Sequence, residues 1–373
     1  MKINCVIGPF LPIPPIRGGA VERIFLAVCE EFAKRGHEVT MVSRRFPGLA
    51  NEEIVDGVRH LRVPSNDAPS NRVLYRLLDL KYALTASKAL PRADVTITHS
   101  VSLPLLIPKA RAGKIYVSVG RYPKGHMGIY KRADRLQGVS SFVTEAIKQQ
   151  SPSVAHLAKT VPNCLSQVFS EAVAEGRGPR LKQILYVGRI AREKGIDLLI
   201  DAFARLKQTD TQWTLKIVGP HEVNQGGDGA AFLEELRSRA GAAIRDIDFA
   251  GPVYEELKLK EVMQKADVFV YPSVATTGES FGLAPLEAMA CGCAVVVSNL
   301  ECFRDYLVDG ANGVAFDHTD RTGDSLAGTL QRLTEKAEVR DALAAGGLVT
   351  ARKYSPQSVA DLFLKDFETL VAR

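Results

Sequence analysis

Two glutamates eight residues apart, Glu279 and Glu287, lie in a segment whose residue types suit the handling of a phosphorylated sugar. It runs from Tyr271-Pro272 through a polar, glycine-containing loop to Glu279-Ser280-Phe281-Gly282-Leu283, and on through Pro285 and Glu287 to Gly292. Its pattern predicts a buried strand ending at Pro272, then a loop, then a short helix with Pro285 in its first turn and a stop at Gly292, and a new strand from Ala294. Such a loop presents backbone N–H groups around Phe281, Gly282 and Leu283, beside Ser280, at a helix N-terminus, where unpaired donors and the helix dipole favour an anion such as a diphosphate. Carboxylates only accept hydrogen bonds and suit diols, so Glu279 is placed to meet sugar hydroxyls and Glu287 the vicinal hydroxyls of a ribose. Surface glutamates at this spacing would be a coincidence of charge. Acids among Phe281, Leu283 and Leu286 are costly without polar partners, which favours the ligand reading.

A second segment, Ile184 to Phe203, again ends a strand in glycine, Gly188, and opens a helix. Its turn carries Arg189 and Lys194, cations beyond the carboxyl end of a parallel strand, where they can neutralise a departing diphosphate. Gly219 and Val253 belong to two more turns at strand ends, suited to lining a nucleotide base. In the first half, Gly18 and Gly19 precede a helix and let a ligand approach the backbone closely, but no G-x-G-x-x-G spacing follows, which argues against a nicotinamide enzyme.

Short apolar runs rich in β-branched residues alternate with helical patterns through both halves, so the chain reads as α/β twice, with parallel sheets. Predicted strands are 2–7, 38–43, 57–63, 95–99, 114–119 and 137–139, then 184–187, 214–218, 247–249, 268–271, 294–298 and 313–316. Val161-Pro162-Asn163 and residues 175–179 separate the two series. Two clear amphipathic helices are predicted at 21–35 and 359–370. A chain of 373 residues, 46% hydrophobic and 24% charged, is long enough for two folded domains and excludes disorder as its main state. No apolar run is long enough to span a bilayer and the start lacks the order of a secretory signal, so the expected location is cytoplasmic. Six scattered cysteines in apolar runs suit reduced core thiols, and Cys291-Gly-Cys293 has no second pair at zinc spacing, so no metal is expected.

Charge divides the chain. Residues 1–165 hold 24 Lys and Arg against 12 Asp and Glu, whereas 166–373 hold 24 against 30. The basic half suits an anionic partner. Residues 71–90 alternate apolar side chains with Arg72, Arg76, Lys81 and Lys88 at helical spacing. Such a helix can lie on an anionic membrane, or turn its apolar face to the core with a solvated basic back. No recognition module for nucleic acid is visible.

Gly-Gly before the first helix, Arg-Gly-His-Glu-Val at 35–39, Val-Pro-Asn at 161–163, Gly-Arg-x4-Lys-Gly at 188–195 and the Glu279/Glu287 segment together resemble the retaining GT-B glycosyltransferases of family four over nearly the whole chain. The resemblance implies two facing Rossmann-like domains with a cleft between them. Residues 1–165, joined by a last helix at 355–373, would bind the acceptor, and 166–354 the nucleotide-sugar donor. It implies Arg189, Lys194 and Glu279 as catalytic groups: the two cations match the diphosphate-binding pair and Glu279 the residue near the donor sugar. Glu287 matches the ribose partner, and no metal is implied. Many relatives place a His directly after the fifth strand of the first domain, where this chain has Gly120-Arg121-Tyr122. His99, Arg121 and His126 are the candidates to contact sugar or acceptor in its stead. The expected activity is transfer from a nucleoside-diphosphate sugar to a hydroxyl of a glycan, lipid or small metabolite. A donor-binding protein without transfer and a nucleotide-sugar epimerase are the alternatives.

Overall fold

The computed structural model describes every residue except Ser70, Arg177 and Arg373; Arg177 of the 175–179 stretch and the last residue of the 355–373 segment thus lie outside the description. The chain divides into two compact units, one of residues 1–166 with 355–373, the other of residues 167–354.

The first unit is built on an eight-stranded sheet. Its strands are β1 (Lys2–Val6), β2 (Glu38–Arg44), β3 (Glu52–Val55), β4 (Val58–Val63), β5 (Val95–Thr98), β6 (Lys114–Val119), β7 (Arg135–Gly138) and β8 (Ala158–Thr160). They lie in the order β3-β4-β2-β1-β5-β6-β7-β8, all parallel except β3, which pairs antiparallel with β4. Most interior strand residues are buried, as in a parallel sheet covered on both faces, and the polar ones among them, such as Arg62 of β4 and Gln137 of β7, are buried too. β3 and β8 escape the sequence pattern. They are short edge strands carrying charged residues, Glu52 and Glu53 in one and Lys159 in the other, as exposed edges require.

Helix Ala20–Lys34 buries Ile24, Phe25, Val28 and Phe32. The last helix, Pro356–Val371, starts with Ser355 accepting from the Ser358 N–H and Pro356 in the first turn. Sequence pattern leaves its location open. In the structure it packs on the first unit, where Phe363 and Phe367 meet Phe25, Phe32 and Tyr116 ring to ring. Beneath the rings Asp366, fully buried, accepts from Arg135 Nε (2.9 Å) and Nη2 (2.8 Å), from Lys159 Nζ (2.8 Å) and from the Tyr116 hydroxyl (3.1 Å).

Helix Arg72–Ala89, capped by Asn71, meets the core-facing alternative only in part. It buries Asp79, Tyr82, Ala83, Ala86 and Ser87, and turns Val73, Leu74, Leu77, Leu80 and Leu84 outward, Val73 being 70% exposed. The inner face is anchored by polar bonds: Asp79 accepts from Ser100 Oγ (3.0 Å) and the Ser102 N–H (2.9 Å). Tyr82 also anchors this face, its hydroxyl donating to Val42 O (3.3 Å).

The second unit carries a six-stranded, fully parallel sheet of β9 (Gln183–Val187), β10 (Thr214–Val218), β11 (Ile247–Gly251), β12 (Val268–Tyr271), β13 (Ala294–Ser298) and β14 (Val314–Phe316), ordered β11-β10-β9-β12-β13-β14. The order reverses between β9 and β12. In an open parallel sheet the carboxyl ends on either side of such a reversal form the crevice where ligands bind. The loops after β9 and β12 are the two that carry Arg189, Lys194 and Glu279. All six cysteines are free and buried, as the apolar setting of each predicts.

Candidate functional site

Each part of the second-unit site is set by one of these strand ends. After β9 the chain turns through Gly188 and Arg189 into a short turn at Arg192–Lys194, and Gly195, with φ of 63°, opens helix Ile196–Thr209. A side chain on Gly195 would overlap the Pro272 carbonyl oxygen, so glycine is required for the Lys194 turn to lie against the end of β12. The turn is tied there by Val274 N–H donating to Glu193 O (2.9 Å). Lys194, only 6% exposed, is thereby carried to Glu279, also 6% exposed, and the two pair directly through Nζ and Oε1. Both reach the Tyr271 hydroxyl at the end of β12: Lys194 Nζ donates to it (3.1 Å) and it donates to Glu279 Oε1 (3.2 Å). Burial, reinforced by the Glu279 charge, pushes the Tyr271 phenol well above its usual range, so it stays a donor at any working pH.

Arg189 does not join this cluster. Its side chain, 43% exposed, donates from Nη1 to Gly226 O (2.5 Å) and pairs through Nη2 with Glu193 (2.8 Å), away from Lys194. Of the two cations Arg189 and Lys194, only Lys194 reaches Glu279; the loop at 223–227 and the acid four residues on hold Arg189 aside.

Helix Leu283–Ala290 has Pro285 in its first turn, as the sequence pattern places it. Gly282, with φ of 74°, caps it with no side-chain hydrogen bond at the cap. A Cβ at Gly282 would run into the Phe303 ring, and the Gly282 carbonyl accepts from the Tyr306 hydroxyl (2.8 Å). Phe281 is a core side chain against Tyr306 and Tyr354, so this residue can serve a ligand only through its backbone. Ser280 and Leu283 are half-buried on either side of the turn. Glu287 lies within the helix, 3% exposed. Gly219 follows β10 so closely packed that a side chain there would overlap the Gly188 carbonyl oxygen, and Val253 is half-buried in the loop after β11.

The other candidates belong to the first unit. Gly18 and Gly19, with φ of 74° and 108°, lead into helix Ala20–Lys34, and the buried carboxyl of Glu22 lies against Gly19, its pKa raised by burial. His99 directly follows β5. Its ring is edge-on to Phe25 at 4.2 Å, its Nε2 is closed off from solvent, and burial pushes its pKa down to about 3. It is therefore a neutral imidazole at any working pH and cannot supply positive charge. Arg121 is exposed after β6, and His126 is half-buried at the start of the turn Met127–Tyr130.

Sequence reasoning passed over Tyr271 and Tyr306, whose hydroxyls bond the acid–base pair and the helix cap. In the sequence, Tyr271 ends an apolar strand run, and the only pointer to its role is that position, at the carboxyl end of a strand beside the reversal. Among the described residues no group of three or more His, Cys, Asp or Glu side chains is arranged to hold a metal ion, and no helix is long and apolar enough to cross a membrane.

Comparison with known proteins agrees with this architecture. The family described as Glycosyltransferase Family 4 matches residues 17–166, and that described as Glycosyl transferases group 1 matches residues 171–347. The phosphatidyl-myo-inositol mannosyltransferase of Mycobacterium tuberculosis (strain ATCC 25618 / H37Rv) is 28% identical, over 99% of this chain and 97% of that protein. Spore coat protein SA of Bacillus subtilis (strain 168) is 22% identical over 92% of each. Among solved structures, sucrose-phosphate synthase from Thermosynechococcus elongatus superposes with a TM-score of 0.77 at 20% identity, covering all of both chains. Anabaena HepE in complex with UDP-glucose superposes with a TM-score of 0.70 at 19% identity, over 99% of this chain and all of that one. The chain belongs to the family 4 glycosyltransferases, and its two parallel-sheet Rossmann-like domains are those of the GT-B fold. It is a glycosyltransferase.

Proposed function

We propose that the chain is a retaining transferase that takes its sugar from a nucleoside-diphosphate sugar held by the second domain. The observation that carries this reading is the buried Lys194–Glu279 pair at the sheet reversal, beside the N-terminus of helix Leu283–Ala290. As the sugar–phosphate bond breaks, negative charge grows on the diphosphate, and Lys194 with the backbone N–H groups at Gly282 and Leu283 would stabilise it where water cannot. Arg189 would add its charge on exchanging Glu193 and Gly226 for phosphate. Glu279 would orient sugar hydroxyls, Glu287 would accept from the ribose, and Gly219 and Val253 would flank the base. The acceptor proton would pass to the departing diphosphate, with the new glycosidic bond forming on the face it leaves. In this scheme fixed cations supply the electrostatics, and no metal is required. Family membership supports transfer over pure binding or epimerisation.

A thermal-shift panel of UDP, GDP, UDP-glucose and GDP-mannose tests the donor assignment. One nucleotide class should raise the melting temperature selectively, since ligand at a hundredfold its Kd stabilises by about 2.7 kcal/mol. Its sugar should be released or transferred with the anomeric configuration kept. A panel in which nothing shifts overturns the reading.

The first domain would hold the acceptor, with Arg121 and His126 as contacts and His99 as a neutral hydrogen-bonding group. We place the protein in the cytoplasm, peripheral at an anionic membrane through helix Arg72–Ala89. There the outward Val73, Leu74, Leu77, Leu80 and Leu84 would enter the interface, and Arg72, Arg76, Lys81 and Lys88, all exposed, would meet the headgroups. Each cation near such a surface contributes about 1 kcal/mol at modest salt. The relatives named for phosphatidyl-myo-inositol support a lipid acceptor. The protein should co-sediment with phosphatidylglycerol vesicles and not with phosphatidylcholine alone, and Leu77→Asp with Leu84→Asp should weaken this at least tenfold. Equal recovery with both vesicle types would remove the membrane assignment.

A further inference from the structure

The Tyr271 hydroxyl stands at the third corner of the triangle it forms with Lys194 Nζ and Glu279 Oε1. We propose that Tyr271 is a positioning residue for sugar transfer, its hydroxyl keeping Glu279 satisfied while Lys194 turns to the leaving diphosphate. This rests on the donor-site reading given above.

The ring cannot easily move. It stacks on Tyr186 with centroids 6.0 Å apart and planes 15° apart, and Phe303 meets it edge-on at 6.1 Å. Tyr186 is itself fixed, its hydroxyl donating to Arg189 O (2.8 Å). The Tyr271 oxygen is therefore held in place by two aromatic neighbours at the end of β12 rather than by the groups it serves.

A buried ammonium and carboxylate with no third partner bind each other, and separating them leaves a charge unpaired at low dielectric. Here the hydroxyl accepts one of the three ammonium N–H bonds and donates its own proton to the carboxylate. When a phosphate oxygen draws Lys194 away, Glu279 keeps the phenolic donor, and Lys194 can keep the phenolic acceptor. The raised phenol pKa agrees, because a neutral hydroxyl can play both parts across the working pH range. Without the hydroxyl the pair would tighten and compete with the diphosphate for the cation.

Tyr271→Phe keeps the ring and its stacking and removes only the oxygen. The measurement is kcat/KM for release or transfer of sugar from GDP-mannose or UDP-glucose, whichever the nucleotide panel selects, in wild type, Tyr271→Phe, Lys194→Met and the double variant. Tyr271→Phe should lower kcat/KM roughly tenfold, the scale of one hydrogen bond to a charged group. In the Lys194→Met background the same change should matter less than twofold, because the hydroxyl then has no moving cation to compensate. A purely structural role would give the same factor in both backgrounds, and that result overturns the proposal, as does a Tyr271→Phe enzyme within twofold of wild type. If Tyr271→Phe melts far below wild type, Tyr271→His, which keeps a ring and a polar edge, should recover part of the rate; no recovery in a folded Tyr271→His protein also overturns it. Full activity in Lys194→Met would instead bring down the donor-site reading itself.

Discussion

Lys194→Ala is expected to lower turnover by on the order of a hundredfold or more, the loss that follows removal of one preorganised donor to a developing negative charge. The lysine is suited to so large a role because it is buried at the reversal of a parallel sheet, held by a turn that only glycine at 195 permits. A charge fixed in a dry site needs no reorganisation when the diphosphate departs, whereas an exposed side chain such as Arg189 must first leave Glu193 and Gly226. Arg189→Ala should accordingly cost less than Lys194→Ala. The variant also strands Glu279 without its cation, so part of any loss could come from the carboxylate. Glu279→Gln in the same chain removes that charge. If Lys194 acts on the diphosphate, the Lys194→Ala/Glu279→Gln double variant stays inactive although its melting temperature recovers toward wild type. Recovery of turnover together with stability would show that Lys194 merely neutralises Glu279.

How far the site was legible depends on what kind of information fixes each part. Most interior strands are readable because a parallel sheet covered on both faces favours short runs rich in β-branched residues, and KIYVSV or AVVVS fits little else. The glycine turns at 188, 195 and 282 were readable because backbone approach restricts residue type. The direction of the Arg189 side chain is not legible for the opposite reason: a long side chain goes wherever its partners lie, and one of them is a carbonyl at Gly226, 37 residues away in sequence. Tyr271 was hidden because an apolar strand reads the same whether or not its last ring carries a hydroxyl with work to do. Helix Arg72–Ala89 showed its period but not its orientation. Period gives two faces, and the inward one is tied by contacts far off in sequence: Asp79 to Ser100 and Ser102, and Tyr82 to Val42.

Asp366→Ala should destabilise the first unit by about 3–5 kcal/mol, because it leaves Arg135 with a lost buried partner and removes the acceptor shared by Lys159 and Tyr116. Arg135 dominates the effect, its side chain being 12% exposed, whereas Lys159 at 44% can turn to water. For a unit of this size the loss corresponds to a fall of roughly 10 °C in melting temperature. Asp366→Asn, which keeps the shape and one acceptor, should fall less. Calorimetry with and without the selected nucleotide identifies which unit has moved. A ligand held by the second unit raises that unit's transition, so the transition lowered by Asp366→Ala should be the one the nucleotide leaves in place. The last helix contributes Phe363 and Phe367 to the same core as Asp366, so its loosening should expose the 356–371 segment to proteolysis at the temperature where that transition begins. Unchanged melting in Asp366→Ala would mean that the aromatic contacts alone hold the helix, and that the buried charge cluster does not determine where the chain's last segment packs.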